Sequence, residues 1–361
     1  MKIMNYVMLK EVCSINMGQS PDSDSYNESG EGVPFFQGNA DFGERYPVTR
    51  KWCTAPTKMA APEDILISVR APIGAMNYAK EECCIGRGLA ALTPDKTKVS
   101  PEFIFWLLKG KNEELNSKGT GSTFKAIGRK VLEETLVPDI GLEKQLEYSA
   151  ILEKVYAVIQ NRKAELAKLD SLIKARFVEL FGDVQNEEKY PGIPLRELCT
   201  TISGGTPSTK FPEYYEGDIP WISTVSLGPN HIDGTTAKGY ITEDAIANSA
   251  TKLVPAGNIL FGTRVGVGKS SLNDVDICTN QDIVAIVGID EEKYSRLFIK
   301  HVLDAYQPYF DSIKKGATIL GITSDDLKDS LIPQVPMSLQ REYEIFVEQV
   351  DKSKFIKKNK L

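Results

Sequence analysis

The chain has little histidine and no pair of cysteines spaced to bind a metal. Only His231 and His301 occur in 361 residues, and the six cysteines include no Cys-x-x-Cys pair. Zinc sites use closely spaced Cys and His ligands, so this composition predicts no metal and no cofactor on this chain. Thiols of an intracellular protein stay reduced, and we expect the cysteines to be free and mostly buried. They are Cys13, Cys53, Cys83, Cys84, Cys199 and Cys278.

Long apolar runs are absent as well. No stretch reaches the roughly 20 consecutive apolar residues that a membrane-spanning helix needs. Residues 1–14 contain no apolar core or cleavage site of a signal peptide. These absences predict a cytoplasmic protein with no membrane partner. Apolar content of 42% and charged content of 25% are typical of a soluble globular chain, long enough for two or three domains.

The chain has no excess of positive charge. It carries 43 Lys and Arg residues against 49 Asp and Glu, which gives a net charge of −6 and a pI of about 5.3. Averaged over the chain, this balance disfavours binding to nucleic acid. The charge is unevenly distributed, however, because acidic residues concentrate in helices and in surface runs such as Glu81-Glu82, whereas basic residues gather in loops. A nucleic-acid site formed by loops is compatible with this pattern.

Catalytic motifs are missing too. The sequence has no His-Glu-x-x-His, no nucleophile elbow, and no Gly-x-Gly-x-x-Gly that opens a strand–helix unit. The segment from Gly262 to Ser271 resembles a phosphate-binding loop, but the first glycine of that motif would fall on Thr263. We interpret the segment as a glycine-rich, hairpin-like loop that follows a strand. The sequence therefore predicts a protein without catalytic activity of its own.

A long segment with helical periodicity occupies the middle of the chain. From Leu142 to Phe181 there is no Gly or Pro, and apolar residues recur at alternating steps of three and four. This spacing predicts a helix about 60 Å long with one apolar stripe, ended by Gly182. Such a stripe needs a partner helix, as in a coiled coil. It consists of Leu152, Val155, Ile159, Leu166, Leu169, Ile173 and Leu180.

The second half of the chain repeats the first. LKEVCSINMGQSPDS from Leu9 aligns without a gap with LRELCTTISGGTPST from Leu195. Three further blocks follow in the same order: VPFFQGN with IPWISTV, APEDILISVRAPIG with VPAGNILFGTRVGVG, and KGTGSTFKAIGRKVLEETLVP with KKGATILGITSDDLKDSLIP. The repeat continues into the helix, where Gln145 corresponds to Gln340. It therefore predicts a second, shorter helix with the stripe Leu339, Tyr343, Phe346 and Val350.

Each copy mixes strands and helices. The runs ILISV, LAALTP, NILFGT and DIVAIVG predict strands, whereas PEFIFWLLKGKNEEL and YSRLFIKHVLDAYQPYF have helical spacing. The predicted fold class is mixed α/β: two duplicated α/β domains joined by a pair of long antiparallel helices, with pseudo-two-fold symmetry. The predicted boundaries are 1–140 for the first domain, 141–182 for the central helix, 183–335 for the second domain and 336–361 for the C-terminal helix.

The pairing of the two helices decides the symmetry. Antiparallel pairing would turn a tandem repeat in sequence into an inverted repeat in space, whereas parallel pairing would not. Double-stranded DNA has the same symmetry, because its strands are antiparallel. We hypothesise from this symmetry that the two domains read half-sites on opposite strands, with a gap fixed by the helix.

Candidate DNA-binding residues lie in the loops of both copies. Polar side chains after VPFF and IPWI can address base edges in a major groove. Basic residues after ILISV and NILFGT, and basic Gly- and Thr-rich segments ahead of a short helix, suit phosphates. The candidates are Gln37, Asn39, Arg45, Arg50, Arg70, Lys118, Lys125 and Arg129 in the first copy, and Thr224, Asn230, His231, Arg264, Lys269, Lys314 and Lys315 in the second.

Plain structural roles compete with DNA contact at several of these positions. Arg70 and Arg264 can simply brace the fold, and Thr323 with the two residues after it has the pattern of a helix cap. Ser20 and Thr206, in the matched Gly-Gln-Ser-Pro and Gly-Gly-Thr-Pro segments, are interpreted as turn formers.

Several motifs together resemble one known family. Gly-Gly-Thr-Pro-Ser-Thr, Ile-Pro-Trp-Ile-Ser, Gly-Asn-Ile-Leu with Thr-Arg-Val-Gly, Asn-Gln-Asp, and Gly-Ala-Thr-Ile-Leu-Gly-Ile before Leu-Ile-Pro are similar to the specificity (S) subunit of Type I restriction-modification systems. The likeness covers essentially the whole chain. It implies two target recognition domains, each reading one half of a bipartite double-stranded DNA site, and an antiparallel coiled coil.

The resemblance also implies partners. In that family the helices dock two modification (methyltransferase) subunits, which carry S-adenosylmethionine and methylate adenine, and restriction (motor-nuclease) subunits join them for cleavage. This chain departs from the pattern in its second helix, which stops about fifteen residues earlier than the first copy would.

Two other classes of function compete with this interpretation. A non-DNA two-fold scaffold protein would share the repeat and the helices, but would show no salt-dependent DNA binding even with its partners present. A duplicated hydrolase, with its site in one copy, would show turnover from the isolated chain.

Overall fold

Two units with similar orders of elements follow one another along the chain. The structure is a computed structural model that describes residues 5–121, 125–184, 189–316 and 318–358. The chain divides into Met1–Gln160 and Asn161–Leu361, so the boundary between the units falls within the long helix. Neither that helix nor any other in the described part of the chain combines the length and apolar content of a membrane span.

The first unit is built mainly of short strands. Its strands are β1 Tyr6–Met8, β2 Cys13–Met17, β3 Tyr26–Asn27, β4 Val33–Phe36, β5 Trp52–Cys53, β6 Met59–Ala60, β7 Ile65–Ser68, β8 Met76–Tyr78, β9 Cys83–Ile85, β10 Leu89–Pro94 and β11 Leu136–Pro138. Its helices are α1 Leu9–Val12, α2 Pro101–Gly110, α3 Asn112–Ser117, α4 Arg129–Glu133 and the beginning of α5 Leu142–Phe181.

The second unit has a matching set of elements. Its strands are β12 Gly192–Pro194, β13 Thr200–Ser203, β14 Ile219–Ile222, β15 His231–Ile232, β16 Gly239–Ile241, β17 Leu253–Val254, β18 Ile259–Gly262, β19 Ser270–Asn273, β20 Ile277–Thr279, β21 Ile283–Val287 and β22 Leu331–Pro333. Its helices are the end of α5, then α6 Glu243–Ala247, α7 Arg296–Ala305, α8 Gln307–Ile313, α9 Ser324–Lys328 and α10 Met337–Lys358.

The sheets confirm the repeat strand by strand. The order β2-β10-β7-β8 in the first unit recurs as β13-β21-β18-β19 in the second, where β15 is added at the edge. A second sheet has the order β5-β4-β9-β6 in one unit and β16-β14-β20-β17 in the other, with β3 beside β5. In both, the central pair is parallel: Phe35 lies opposite Cys84, and Trp221 opposite Cys278.

Helices α2 and α7 start in the same way. Ser100 and Ser295 cap them, each side-chain oxygen accepting from the backbone N–H three residues on. The two predicted helical segments are in fact two helices each, α2 with α3 and α7 with α8, and Pro308 interrupts the second segment because it has no N–H to donate.

Two buried glutamines fasten the long helices to the units. The Gln145 side-chain oxygen accepts from Ser100 N, and the Gln340 oxygen accepts from Ser295 N, both at 2.9 Å. Their amide groups donate to Ile140 O and Val335 O, both at 2.7 Å. The alignment of Gln145 with Gln340 therefore marks a structural contact that repeats in both units.

Within the second unit, the end of α5 packs against α10. Phe181 and Tyr343 are 1% exposed, and their ring centroids are 5.3 Å apart. Ion pairs join Arg176 to Glu342 at 2.6 Å, Asp170 to Lys354 at 2.7 Å and Glu165 to Lys357 at 3.2 Å. Residue numbers fall along α5 as they rise along α10, so the helices are antiparallel, as predicted.

The first half of α5 differs from the prediction. Leu152 and Val155, assigned to the buried stripe, are 42% and 51% exposed. The helix instead meets its own unit through Gln145, Ser149 and Tyr156, the last of which packs edge-on against Trp106. The periodicity located the apolar face correctly, but in this half of the helix that face points away from the unit.

The cysteines are free, as expected, and all except the partly buried Cys199 are buried. Burial raises the pKa of Cys13 and of Cys83 to about 12, and that of Cys199 and of Cys278 to about 11. Thiolates are disfavoured at these positions because burial penalises the charged form.

Candidate nucleic-acid interface

Loops follow the carboxyl ends of the central parallel strands in both units. The loop after β4 spans residues 37–51 and includes Gln37, Asn39, Arg45 and Arg50. The loop after β14 spans residues 223–230 and includes Thr224 and Asn230, with His231 starting the next strand. The predicted base-reading candidates of the two copies therefore occupy corresponding places in the fold.

Ser20 and Thr206 hold residues at these strand ends. Gln37 Nε2 donates to Ser20 Oγ at 2.8 Å, and the same oxygen accepts from the backbone N–H of Arg87 at 3.2 Å. In the second unit the Thr206 hydroxyl donates to Gln281 Oε1. The sequence prediction omitted the exposed residues Arg87 and Gln281, because it interpreted Ser20 and Thr206 only as turn formers.

Side chains of the first loop also bond to the loop's own backbone. Asn39 begins a single 3₁₀ turn to Asp41, whose carboxylate accepts from Gln37 N at 3.3 Å. Burial raises the pKa of the Asp41 carboxyl, opposed by this hydrogen bond and by the charge of Arg50. Arg50 is exposed and also donates to Ala40 O at 3.4 Å. The turn and the bond from Arg50 to Ala40 bring Asn39 and Arg50 close together in space.

The second loop exposes a different side chain from the one predicted. Thr224 is only 4% exposed, because its turn directs it inward, whereas its neighbour Val225 is 79% exposed. His231 is exposed, and its Nδ1 lies 2.8 Å from the carboxylate of Asp274. An exposed apolar side chain such as Val225 can contact a thymine methyl group.

Arg45 and Asn230 are engaged inside their units. Arg45 donates to both carboxylate oxygens of Glu153 on α5, at 3.0 and 3.1 Å, and its guanidinium lies 5.0 Å from the centre of the Tyr78 ring. Asn230 Nδ2 donates to Asp351 of α10 at 2.7 Å. The structure thus ties these two candidates to the long helices.

A buried histidine completes the contacts of Asn230. His301 Nε2 lies 2.9 Å from Asn230 Oδ1, and its Nδ1 contacts the Tyr343 hydroxyl. Since an amide oxygen only accepts, Nε2 carries the proton and the tyrosine hydroxyl donates to Nδ1. Burial lowers the pKa of His301 well below its usual value, and the charges of Lys300 and Lys354 add to the effect. The ring is therefore neutral.

The basic residues predicted separately come together in pairs. Ala71 N donates to Lys125 O at 3.0 Å, which places Lys125 beside Arg70. In the second unit Ile322 N donates to Thr263 O at 2.8 Å, and a shallow cavity is lined by Arg264 and Lys315. Both pairs join the loop after β7 or β18 to the segment that precedes α4 or α9. The matching contacts of the two units are Ile127 N to Val69 O at 2.9 Å and Ile322 N to Thr263 O at 2.8 Å. They bring basic loops together in both units, although Lys125 and Lys315 are not equivalent positions and Arg264 also lies 3.7 Å from the carboxylate of Asp282.

The remaining cations lie on the surface around these pairs. Lys118 contacts Glu114 at 2.6 Å, Arg129 contacts Glu133 at 2.7 Å, and Lys314 pairs with Asp311. Exposed pairs of this kind contribute little to stability and can exchange partners readily. Lys269 is exposed in the β18–β19 hairpin, whose antiparallel pairing confirms the predicted glycine-rich loop.

Helix α9, which follows the second basic segment, is capped by Thr323, as the sequence pattern predicted. The Thr323 hydroxyl accepts from Asp326 N at 3.1 Å, and Asp326 accepts from Thr323 N at 2.7 Å, which forms a capping box. Hydrogen bonding from Thr323 lowers the pKa of the Asp326 carboxyl. The Asp326 carboxylate occupies the start of this helix, so the structure favours the helix-cap role of this segment over phosphate binding at the helix start.

The fold and these loops define a protein of two equivalent α/β modules linked by a long helix, each with polar and basic loops at the same strand ends. Sequence comparison specifies the class further. The family described as Type I restriction modification DNA specificity domain matches residues 1–171 and again residues 187–361. The chain belongs to this family, with two copies of its domain, which confirms the resemblance drawn from its motifs.

Individual relatives agree. The putative type I restriction enzyme MjaX specificity subunit of Methanocaldococcus jannaschii is 42% identical over 160 residues, which cover 44% of this chain and 38% of the relative. The type I restriction enzyme EcoR124I/EcoR124II specificity subunit of Escherichia coli is 29% identical over 222 residues, 60% of this chain and 53% of the relative. The matched region thus spans about half or less of each relative.

A solved structure supports the fold. The crystal structure of a Type-I restriction-modification system S subunit from M. genitalium superposes with a TM-score of 0.55 at 14% identity, covering 100% of this chain and 93% of that one. At this identity the likeness concerns the fold alone.

Proposed function

We propose that this protein is the DNA sequence-recognition (specificity) subunit of a Type I restriction-modification complex, in which each α/β unit reads one half of a bipartite site. Family membership supports the class of function. The observation that supports the division of labour is that both units carry basic residues on equivalent loops, Arg70 and Lys125 in the first and Arg264 and Lys315 in the second. Two such surfaces on one chain suit two separate contacts with the phosphates of one duplex.

Base recognition would come from the loops after β4 and β14. Gln37 and Asn39 in the first loop, and Val225 and His231 at the second, are at least partly accessible side chains. Gln and Asn can bond adenine edges, and apolar groups can contact thymine methyls. Since the two loops differ in these residues, the two half-sites should differ in sequence.

The helices would dock the partner subunits. Ile151, Val155 and Val158 of α5 are each more than half exposed and, at steps of four and three, lie on one face of the helix. A contiguous exposed apolar face of this kind marks a protein interaction site. We assign it to two modification subunits that carry S-adenosylmethionine and methylate adenine, with motor-nuclease subunits joining for cleavage. This chain then contributes no catalytic group and binds no cofactor itself.

The acidic composition of the chain fits a complex in which several subunits together neutralise the DNA phosphates. With a net charge of −6, the isolated chain should bind DNA weakly. In the complex, the modification subunits would supply part of the positive charge that neutralises phosphate, while the loops of this chain supply the sequence preference.

Methylome sequencing tests the proposal. The chain would be produced with the modification subunits encoded beside it, in a host without adenine methylation of its own, and the modified positions mapped. We expect methyladenine at one bipartite motif with two defined halves and a fixed unspecific spacer. The absence of any methylated bipartite motif, from a complex that assembles, would contradict it. Turnover of a hydrolase substrate by the chain alone would favour the enzyme alternative.

A further inference from the structure

The two base-reading loops are anchored to their units by the same backbone contacts. In the first loop Gly43 N donates to the side-chain oxygen of Asn77 at 3.0 Å. In the second, Gly228 N donates to the side-chain oxygen of Ser271 at 3.0 Å. Asn77 lies in β8 and Ser271 in β19, strands that occupy the same place in the two sheets. Gly43 and Gly228 are therefore equivalent positions.

Two residues further on, the equivalence continues. The carbonyl oxygen of Arg45 accepts from Tyr78 N at 2.9 Å, and that of Asn230 accepts from Leu272 N at 2.8 Å. Tyr78 and Leu272 match because they lie opposite Ile65 and Ile259, which the sequence repeat already aligns. Arg45 and Asn230 thus occupy one structural position, although their side chains are unlike.

Both side chains reach a carboxylate on a long helix. Arg45 bonds Glu153 at 3.0 Å, and Asn230 bonds Asp351 at 2.7 Å. A ring N–H reinforces each contact: Trp106 Nε1 donates to Glu153 at 3.2 Å, and His301 Nε2 donates to Asn230 at 2.9 Å. Trp106 and His301 each lie six residues after the matching caps Ser100 and Ser295.

A similar link is therefore built in each unit from different residues. In each unit it joins a loop, the first helix after the sheet and the long helix. Because Gln145 aligns with Gln340, the position equivalent to Asp351 is Tyr156, one helical turn after Glu153. Contacts that merely stabilise a surface have no reason to recur at one loop position with different partners. A contact that sets the position of a loop has a reason to recur. The distance between loop and helix must be kept, while the two side chains that form the contact can change together.

We propose that Glu153 and Asp351 are positioning residues, which fix the base-reading loops relative to the long helices so that partner docking on the helices and base reading by the loops share one geometry. This inference rests on the proposed function. It reassigns Arg45 and Asn230 from base contact to loop positioning. Loss of the carboxylate should free the loop without removing any group that touches DNA.

The test measures selectivity at each half-site separately. Complexes of the full chain with its modification subunits would methylate a library in which single bases of either half-site are changed. Glu153→Ala should lower discrimination in the first half-site about tenfold, the effect expected from losing a hydrogen bond to a charged group, and leave the second half unchanged. Glu153→Gln, which keeps an acceptor, should recover part of it.

Asp351→Ala should give the mirror result, with the loss confined to the second half-site. Matched controls separate positioning from stability. Glu147→Ala removes an exposed carboxylate from the same helix, and Lys354→Ala removes the ion pairs to Asp170 and Asp351 but spares the bond to Asn230. Neither control should change half-site selectivity.

A uniform loss of methylation in both halves, or a lowered melting temperature with selectivity intact in both, would show that the carboxylates only brace the fold and would overturn the inference. Failure of the proposed function would look different, because the unmodified complex would then methylate no bipartite site at all.

Discussion

Some polar side chains that the sequence predicted to contact DNA instead bond to the long helices of their own unit. Asn230 and Arg45 were predicted from loop composition alone, and composition cannot tell an outward side chain from one that reaches back to a helix. Which of the two applies depends on a carboxylate more than 100 residues away in each case, at Asp351 and Glu153. Arg264, Lys125 and Lys315 were chosen for charge, and the structure places them on exposed loops.

The neutral, buried His301 makes stability depend on pH. Burial holds its pKa well below the ordinary histidine value of about 6.5, so below about pH 6.5 the unfolded chain takes up a proton that the folded chain does not. Stability should therefore fall as the pH decreases from 7 to 5, by up to about 1.4 kcal/mol per pH unit from this group. Thermal unfolding of His301→Gln should show a smaller loss over the same range.

The other histidine gives a matched comparison for that experiment. His231→Gln changes an exposed side chain and should leave the pH dependence due to His301 in place. If His301→Gln and the unmodified protein lose stability in parallel between pH 7 and pH 5, His301 is not the neutral, buried group described.

Arg264 provides a prediction about phosphate contact. In the assembled complex, Arg264→Gln should weaken binding to all sequences alike and reduce the slope of log affinity against log salt by about 0.9, one phosphate contact. Arg196→Gln, at an arginine that pairs with Asp329 away from the loops, serves as control. An unchanged salt slope for Arg264→Gln would remove this residue from the interface.

At the scale of elements, the helix pair is the part that the sequence predicted best. Strong periodicity without Gly or Pro defined α5 to its observed ends, and the repeat located α10. Phe177 was not part of the predicted stripe, yet it is 4% exposed and lies in the core beside Tyr343. Apolar residues spaced three and four apart locate the buried face of a helix, but they do not show how wide the buried face is.

Phe177 offers a direct test of that packing. Phe177→Ala should lower the free energy of unfolding by about 3 kcal/mol, since it removes a buried aromatic ring and leaves a cavity. The neighbouring Val178 is 54% exposed, and Val178→Ala should change stability by less than about 0.5 kcal/mol. Urea titration of both variants provides the comparison, and equal effects would mean that the helices do not pack as described.

The exposed half of α5 was beyond the reach of periodicity. Leu152 and Val155 have the spacing of a buried stripe, and sequence alone does not say whether the cover comes from the same chain or from another. Loops were the least predictable elements, because the inward turn of Thr224 and the exposure of Val225 depend on a 3₁₀ turn three residues long.

For the whole molecule, the length of α5 should set the spacer of the recognised site. Deleting residues 158–164 removes seven residues, close to two turns, and shortens the helix by about 10 Å while keeping its faces nearly aligned. We expect the unspecific spacer to shorten by about three base pairs, given the 3.4 Å rise of DNA. Methylome sequencing of the variant complex checks this, and an unchanged spacer in an active complex would count against the helix as a ruler.

The central claim is that two copies of one domain read the two halves of a site independently. Exchange of residues 1–140 for the corresponding domain of a relative with a different target tests it most directly, with the methylated motif as readout. The account predicts a new sequence in one half-site, while the other half and the spacer stay as they were. A motif altered in both halves would contradict it.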